Sequence, residues 1–489
     1  MINVGWNFDH SYARLPDALF ARVSPEPVRD PRVVILNHAL CETLGLDFKT
    51  IDPQEIAKMC SGNTVTENMQ PLAQAYAGHQ YGNFNKLGDG RAILLGEHIT
   101  NTGERVDIQL KGSGRTPFSR RGDGRAALAP MLREYIMSEA MYALKIPTTR
   151  SLAVVTTGER VQREKAEHGA ILTRIAASHI RVGTFEYVAA LAQPHLLKTL
   201  ADYTIARHYA EIEMQNAPYQ AFLNSVMESQ AALVASWMQV GFIHGVMNTD
   251  NVSIAGETID YGPCAFMDHY DPSTVFSAID AHGRYAYAQQ PKITQWNMAR
   301  FAQAIAPLLH DDYHEAMMIA QKSIETFPSL FSKHFMQKMR HKLGLLNVET
   351  DDHMLIDDLL SIMHHHHADF TNTFRALEKC YENDMSHVGD LSTDRAFLLW
   401  LERWKARLKR QQQSTDTLFV VMRSNNPAII PRNHRVQEAL AALSEQGDDV
   451  PMLNLLNALA KPFDDVSAYD AYRETPTPSQ RVYQTFCGT

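Results

Sequence analysis

The sequence predicts an α+β protein in two lobes, a small β-rich one carrying a single long helix and a large, mostly helical one, with an N-terminal extension before both. Three observations predict it. Between residues 66 and 186, segments that alternate in the β manner, such as Val106-Asp-Ile-Gln-Leu110, are separated by glycine-rich turns. After Tyr187 the apolar spacing is helical almost throughout, in Leu196 to Met214, Tyr219 to Val240, Trp296 to Leu309 and Arg395 to Arg410. Where one of these helices stops, at Gly241, a polar loop rich in amide and carboxylate groups begins. The boundaries follow: extension 1–65, small lobe 66–186, large lobe with its C-terminal tail 187–489.

A chain of 489 residues with 45% apolar content buries a large core and is too long for one small domain. Its net charge of -9 argues against a nucleic-acid partner bound mainly through phosphates. Five cysteines, Cys41, Cys60, Cys264, Cys380 and Cys487, contain no C-x-x-C pair, which excludes a disulfide scaffold or structural zinc site and suits a reducing compartment. The N-terminus carries no targeting pattern and no apolar run approaches a membrane span, so the expectation is a cytoplasmic protein without a membrane partner.

The first 65 residues interleave prolines with short apolar pieces such as Val33-Val-Ile-Leu36 and are expected to wrap over the body. Pro71 to His79 is expected to be a short helix or turn leading into glycine-rich chain. Gly88-Asp-Gly90-Arg91 then lies between two β segments; such glycines let backbone N–H groups approach phosphate oxygens, although an ordinary hairpin turn has the same composition. The next strand ends in Lys111, a basic loop from Gly112 to Arg125 follows, and a helix is expected from about Ala126 to Leu144. In that order the strand lysine grips phosphate and a helix carboxylate orients it, with Glu134 the first choice and Glu139 the second. That loop carries four arginines and ends at a helix start, with Gly122 and Gly124 flanking Asp123, so phosphate contact is expected of it ahead of a mobile solvated loop. Leu152 to Val155 and Ala170 to Ile175 read as strands; the second sets Arg174 among apolar residues, where a guanidinium needs an anion, and Arg181 follows seven residues on. His364 to His367 point all round a helix and are expected to form a solvated turn.

The organising stretch is Gly241-Phe-Ile-His-Gly-Val-Met-Asn-Thr-Asp-Asn251 with Ile259-Asp-Tyr-Gly-Pro263. Asn251 and Asp260 are hard oxygen donors suited to Mg²⁺ on phosphates, and a strand-turn-strand from Val252 to Ile259 is expected between them. His244 and Asn251 have the spacing of a protein-kinase catalytic loop, and Asp260-Tyr-Gly262 stands where that family has D-F-G. Val246, however, occupies the position of the kinase base.

With these landmarks the chain resembles the selenoprotein O family, kinase-like protein adenylyltransferases, over nearly its whole length. The likeness rests on Tyr76-Ala-Gly-His-Gln-Tyr-Gly82, Leu87-Gly-Asp-Gly-Arg91, the run from Gln109 to Arg125, His244 to Asn251, Asp260-Tyr-Gly262 and Ile430-Pro-Arg-Asn-His434. The resemblance implies a protein-kinase-like fold in which ATP lies reversed, its terminal phosphates buried, so that AMP passes to Ser, Thr or Tyr hydroxyls, with His and UTP as open alternatives for acceptor and donor. It implies nucleotide contacts from Gly88, Gly90, Arg91, Lys111, Asp123, Gly124, Arg174, Arg181 and Asp260, Mg²⁺ or Mn²⁺ on Asn251 and Asp260, and Asp250 as proton acceptor. Cys487, where the family often has selenocysteine or cysteine, is paired with Cys264 as a candidate redox switch. A γ-phosphoryl kinase and a non-catalytic nucleotide-binding scaffold are the competing functions.

Overall fold

The computed structural model describes residues 4–212 and 215–485. Its strands are β1 (Phe8–Asp9), β2 (Phe20–Arg22), β3 (Arg32–Leu36), β4 (Leu72–Gln74), β5 (Ala77–Gln80), β6 (Asn83–Lys86), β7 (Ala92–Ile99), β8 (Arg105–Lys111), β9 (Ala126–Ala127), β10 (Arg150–Gln162), β11 (Ala166–Ala176), β12 (Phe242–Ile243) and β13 (Ala265–Phe266). Nine of them form one antiparallel sheet, in the order β2-β4-β7-β8-β11-β10-β3 with β1 on β7 and β9 on β11. β5 and β6 form a separate hairpin, and β12 pairs with β13. The fold is thus mixed α and β, with one large sheet and many helices.

Strand alternation divides the core. On β11, Ile171 packs with Leu40 and Ile56 of helices α1 (His38–Leu44) and α2 (Pro53–Ser61). Its neighbour Leu172 turns to the other face and packs with Leu132 and Ile136 of α3 (Leu128–Ala143). Asn37 and Asp52 cap α1 and α2 by accepting hydrogen bonds from Leu40 N–H and Gln54 N–H. A second core gathers α4 (Val182–Ala189), α5 (Pro194–His208), α6 (Pro218–Gln239) and α7 (Gln290–Leu309) around Phe185, Phe222 and Phe301, whose ring centroids lie 5.1–5.7 Å apart. Helices α8 (Tyr313–Ile324) and α9 (Phe327–Lys342) follow, then six more between Asp352 and Leu459. No helix among the described residues is long and apolar enough to cross a membrane.

Three local expectations change. Pro71 to His79 is not helical: β4 pairs with β2 and β7, and β5 with β6, so long-range pairing decides a segment whose alanines offer no apolar stripe. Val252 to Ile259 does not pair with itself; Ser253 bridges to Arg181 and Thr258 to Thr148, because Trp237 Nε1–H and Gln230 Nε2–H draw the two arms to separate partners, Thr258 Oγ1 and Ser253 O. The first 65 residues enter the sheet through β1, β2 and β3, and buried Glu97 on β7 accepts from the N–H groups of Ser11 and Tyr12. His364 and His365 end a helix that His366 and His367 leave as a turn, and no cluster of three or more His, Cys, Asp or Glu among the described residues is arranged for a metal.

Candidate active site

β8 delivers Lys111 to the edge of the sheet core, where its Nζ donates to Glu134 of α3 at 2.7 Å and to Asp260 at 3.1 Å. Leu172 of β11 pairs with Lys111, so Arg174, two residues on, emerges on the same face. Its guanidinium is 2.6 Å from Glu134 Oε1 and 2.8 Å from Asp260 Oδ1. Arg181, the N-cap of α4, closes the group: it bonds Asp260 Oδ2, donates to the Asp250 carbonyl at 2.6 Å and lies 4.7 Å over the Tyr76 ring. Burial alone would push the carboxyls of Glu134 and Asp260 up, but the surrounding cations outweigh it, holding Glu134 below the usual range and Asp260 far below. Glu139 makes a different pair, with Arg150 at 2.7 Å.

The two loops after α6 are tied together by His244. Fully buried, it hydrogen-bonds through Nε2 with the Ile259 carbonyl at 2.9 Å and packs its ring 5.4 Å from Trp237. Asp260 adopts φ 62, and Gly262 N–H returns to its carbonyl at 2.8 Å, so the carboxylate is aimed by a tight backbone turn. Asn251 donates Nδ2–H to the Val246 carbonyl at 2.9 Å, which leaves its amide oxygen to coordinate a cation. One amide oxygen and one carboxylate on one cavity wall fit a Mg²⁺- or Mn²⁺-type ion that takes its remaining ligands from phosphates and water.

Asp250 precedes Asn251 on a single 3₁₀ turn. Burial pushes its carboxyl up to about 6 against the lowering pull of its own backbone and of Arg181. Its Oδ1 is buried without a hydrogen-bond partner. Gly78 of β5 permits this position, since a Cβ there would collide with the Asp250 carboxyl.

Two cavities meet at Asp250. One, of 490 Å³, contains Lys111, Glu134, Arg174, Arg181, Asn251 and Asp260; the other, of 530 Å³, contains Gly88, Phe118, Asp123, Gly124 and Arg163. Tyr76, Gln80, Gly90, Arg91 and Asp250 line both. The glycine turn is pinned from above: Thr116 Oγ1 donates to the Asp89 carbonyl at 2.6 Å, Ser119 Oγ to the Gly90 carbonyl, and a Cβ on Gly88, at φ 139, would strike the Phe118 ring. Asp123 bonds Arg163 at 2.8 Å and the Arg125 N–H at 2.9 Å, shaping the loop at the cavity wall. Cys264 is buried, and Thr485 Oγ1 donates to the carbonyl of its neighbour Pro263; Cys487 lies outside the described residues.

Sequence reasoning missed one pair beside the Asp250 loop, His79 and Glu186, with Nδ1 to Oε1 at 2.6 Å. His79 stood in a quoted motif, but nothing local tied it to a glutamate on α4.

Comparison with known proteins gives the same direction. A family model described as protein adenylyltransferase SelO matches residues 3–460. The protein nucleotidyltransferase YdiU of Anoxybacillus flavithermus is 57% identical over 488 residues, covering 100% of each chain. That of Halalkalibacterium halodurans is 58% identical over 99% of this chain and 98% of its own, and that of Nitrosococcus oceani 53% identical over 100% and 98%. With a match of this extent, the chain belongs to the protein adenylyltransferase SelO family and is a protein nucleotidyltransferase.

Proposed function

We propose that this enzyme transfers AMP from ATP to a hydroxyl of a protein, with the nucleotide reversed relative to a protein kinase and with Mg²⁺ or Mn²⁺ held by Asn251 and Asp260. The observation that carries the reading is the place of Asp250, at the junction between a cationic cavity and a second one walled by the glycine turn. Three cations, Lys111, Arg174 and Arg181, converge there and Arg91 lines the same cavity, a concentration of charged donors that suits a pyrophosphate leaving group and that an adenine has no use for. The nucleoside then belongs in the second cavity, beside Phe118, and the α-phosphate beside Asp250.

In that pose the acceptor oxygen attacks the α-phosphorus in line with the bond to the bridging oxygen of the β-phosphate. Asp250 takes the hydroxyl proton as the new P–O bond forms, and pyrophosphate departs with the electrons of the broken one toward Lys111, Arg174 and Arg181. A bound divalent ion contributes neutralisation of phosphate charge. Val246 has no group to accept a proton, so γ-phosphoryl transfer lacks its base.

The finer parts of the proposal are a kinase-like division into 1–65, 66–186 and 187–489, supported by the Lys111–Glu134 pair between strand and helix and by the metal and base loops on the helical side. Acceptors are Ser, Thr or Tyr, with His as a further candidate; UTP is a second donor and UMP its product on protein. A cytoplasmic site of action accords with four buried cysteines among the described residues, and a regulatory bond between Cys264 and Cys487 with the approach of Thr485 to Pro263.

Two substitutions test the assignments. Asp260→Ala is expected to abolish both the thermal stabilisation by ATP with metal and the mass added to acceptor protein. Asp250→Ala is expected to keep that stabilisation and to lower transfer by roughly 10²–10⁴-fold. Normal transfer by the Asp250 variant removes it as the base.

A further inference from the structure

A third cavity, of 560 Å³, lies on the other side of the β5–β6 hairpin. Strand alternation makes the hairpin a partition: Tyr76 and Gln80 line the nucleotide cavities, whereas His79 and Phe84, paired across the hairpin, line the third. The opposite wall is apolar, with Val188 from α4, Leu197 from α5 and Ala304 and Pro307 from α7. Between the walls sits the His79–Glu186 pair, and Glu186 Oε2 is buried with no hydrogen-bond partner.

One flank is cationic. Arg284 and Arg300 stand on Trp296, their guanidinium carbons 4.9 and 5.4 Å from its ring centroid. The Nε of each is buried without a hydrogen-bond partner, and among the described residues no carboxylate lies within ion-pairing distance of either. The rim carries Phe84 and Tyr313, 44% and 66% exposed. The hairpin wall is joined to the Asp250 loop: His79 N–H donates to Thr249 Oγ1 at 2.8 Å, and Thr249 precedes Asp250.

We propose that this cavity docks the acceptor protein, seating an apolar side chain between α4, α5 and α7 and a neighbouring carboxylate against Arg300 and Arg284. The proposal rests on the reading of the chain as an enzyme that modifies proteins. Exposed aromatics around an apolar recess are what protein interfaces use as anchors, whereas a small metabolite is normally enclosed on most of its surface. Arg300 on the lining and Arg284 beside it give the recess its charge preference, complementary to an acidic segment, since burial pushes the carboxyl of Glu186, the acidic group on the lining, up to about 7. Its hairpin wall is bonded to Thr249, next to Asp250, so a chain docked here and passing around the hairpin brings a nearby hydroxyl to the α-phosphate.

The probes are fluorescein-labelled synthetic peptides with one serine and, at several spacings from it, Leu-Asp, Leu-Lys or Ala-Asp. Binding is read by anisotropy to the wild type, to Ala189→Trp, which fills the recess from α4, and to Arg300→Glu; circular dichroism and stabilisation by MgATP confirm that both variants are folded with an intact nucleotide site. The wild type is expected to bind Leu-Asp peptides about 10-fold more tightly than Leu-Lys or Ala-Asp ones, a difference of about 1.4 kcal/mol. Ala189→Trp is expected to lose that affinity, and Arg300→Glu to prefer Leu-Lys. Absence of binding, equal binding of all three peptides, or discrimination untouched in Arg300→Glu overturns the proposal; should Ala189→Trp fail to fold, the charge reversal decides alone. α-Labelled ATP in the same samples separates the two readings. Selective binding without AMP transfer contradicts the function, and AMP transfer without selectivity contradicts the docking site.

Discussion

Asp89 is held between Gly88 and Gly90 with only 2% of its surface exposed, and its Oδ2 accepts from Gln74 N–H at 3.1 Å and Gln109 Nε2–H at 3.3 Å. Burial pushes its carboxyl up to about 6, against the pull of Arg181. A folded-state value above the unfolded 3.8 means that this group's stabilisation is complete below pH 3.8 and is lost as pH rises through 6. Asp89→Asn keeps an acceptor oxygen and removes the titration, so without nucleotide its melting temperature is expected to gain on the wild type from pH 4 to 7, by on the order of 2 kcal/mol of stability. A constant difference across that range contradicts the assignment. At this scale the cationic cluster was legible: Lys111 ends an alternating strand, Glu134 sits on the following helix, and Arg174 among apolar neighbours demanded the anion that Glu134 and Asp260 supply. Asp250 was not legible from spacing, because its burial and its orphaned oxygen arise from the approach of Gly78, on a strand far away in the chain.

Among the elements, the β5–β6 hairpin separates the nucleotide cavities from the recess behind it while lying outside the main sheet, and a two-stranded hairpin is marginal without support. Its support comes from the Asp250 loop, where Thr249 Oγ1 accepts from His79 N–H at 2.8 Å and Asn248 Oδ1 from Tyr81 N–H at 3.1 Å. Thr249→Val removes the first acceptor at nearly constant shape, at a cost of about 1 kcal/mol. Amide exchange across residues 77–86 is expected to quicken by roughly 5-fold, while the long sheet strands remain protected. Unchanged protection of the hairpin denies the link. Of the long helices, α7 ends at Leu309 as expected but begins at Gln290, ahead of the expected Trp296, whereas α6 was readable to within one residue at each end. The hairpin was not, since Pro71 to His79 has small residues without a clear period and is shaped by distant pairing. The same holds for 252–259, whose partners Arg181 and Thr148 belong to other parts of the chain.

For the whole molecule, β8, β11 and the start of α4 supply the cations Lys111, Arg174 and Arg181, α3 supplies Glu134, and the loops after α6 supply Asp250, Asn251 and Asp260, the proposed base and metal donors, so the cavity forms only where these elements meet. The family motifs made the identity of that centre legible; the separation into a cationic cavity and a glycine-walled one, joined at Asp250, became visible only in three dimensions. In the proposed function that division reverses the nucleotide and moves the reaction from the γ- to the α-phosphorus. The direct measurement is a parallel incubation of the enzyme and acceptor protein with Mg²⁺ or Mn²⁺ and ATP labelled at the α- or the γ-phosphate. The account predicts α label on protein, γ label released as pyrophosphate, and a modified peptide heavier by an adenylyl group. Retention of γ label on protein, with a phosphoryl increment in mass, contradicts it.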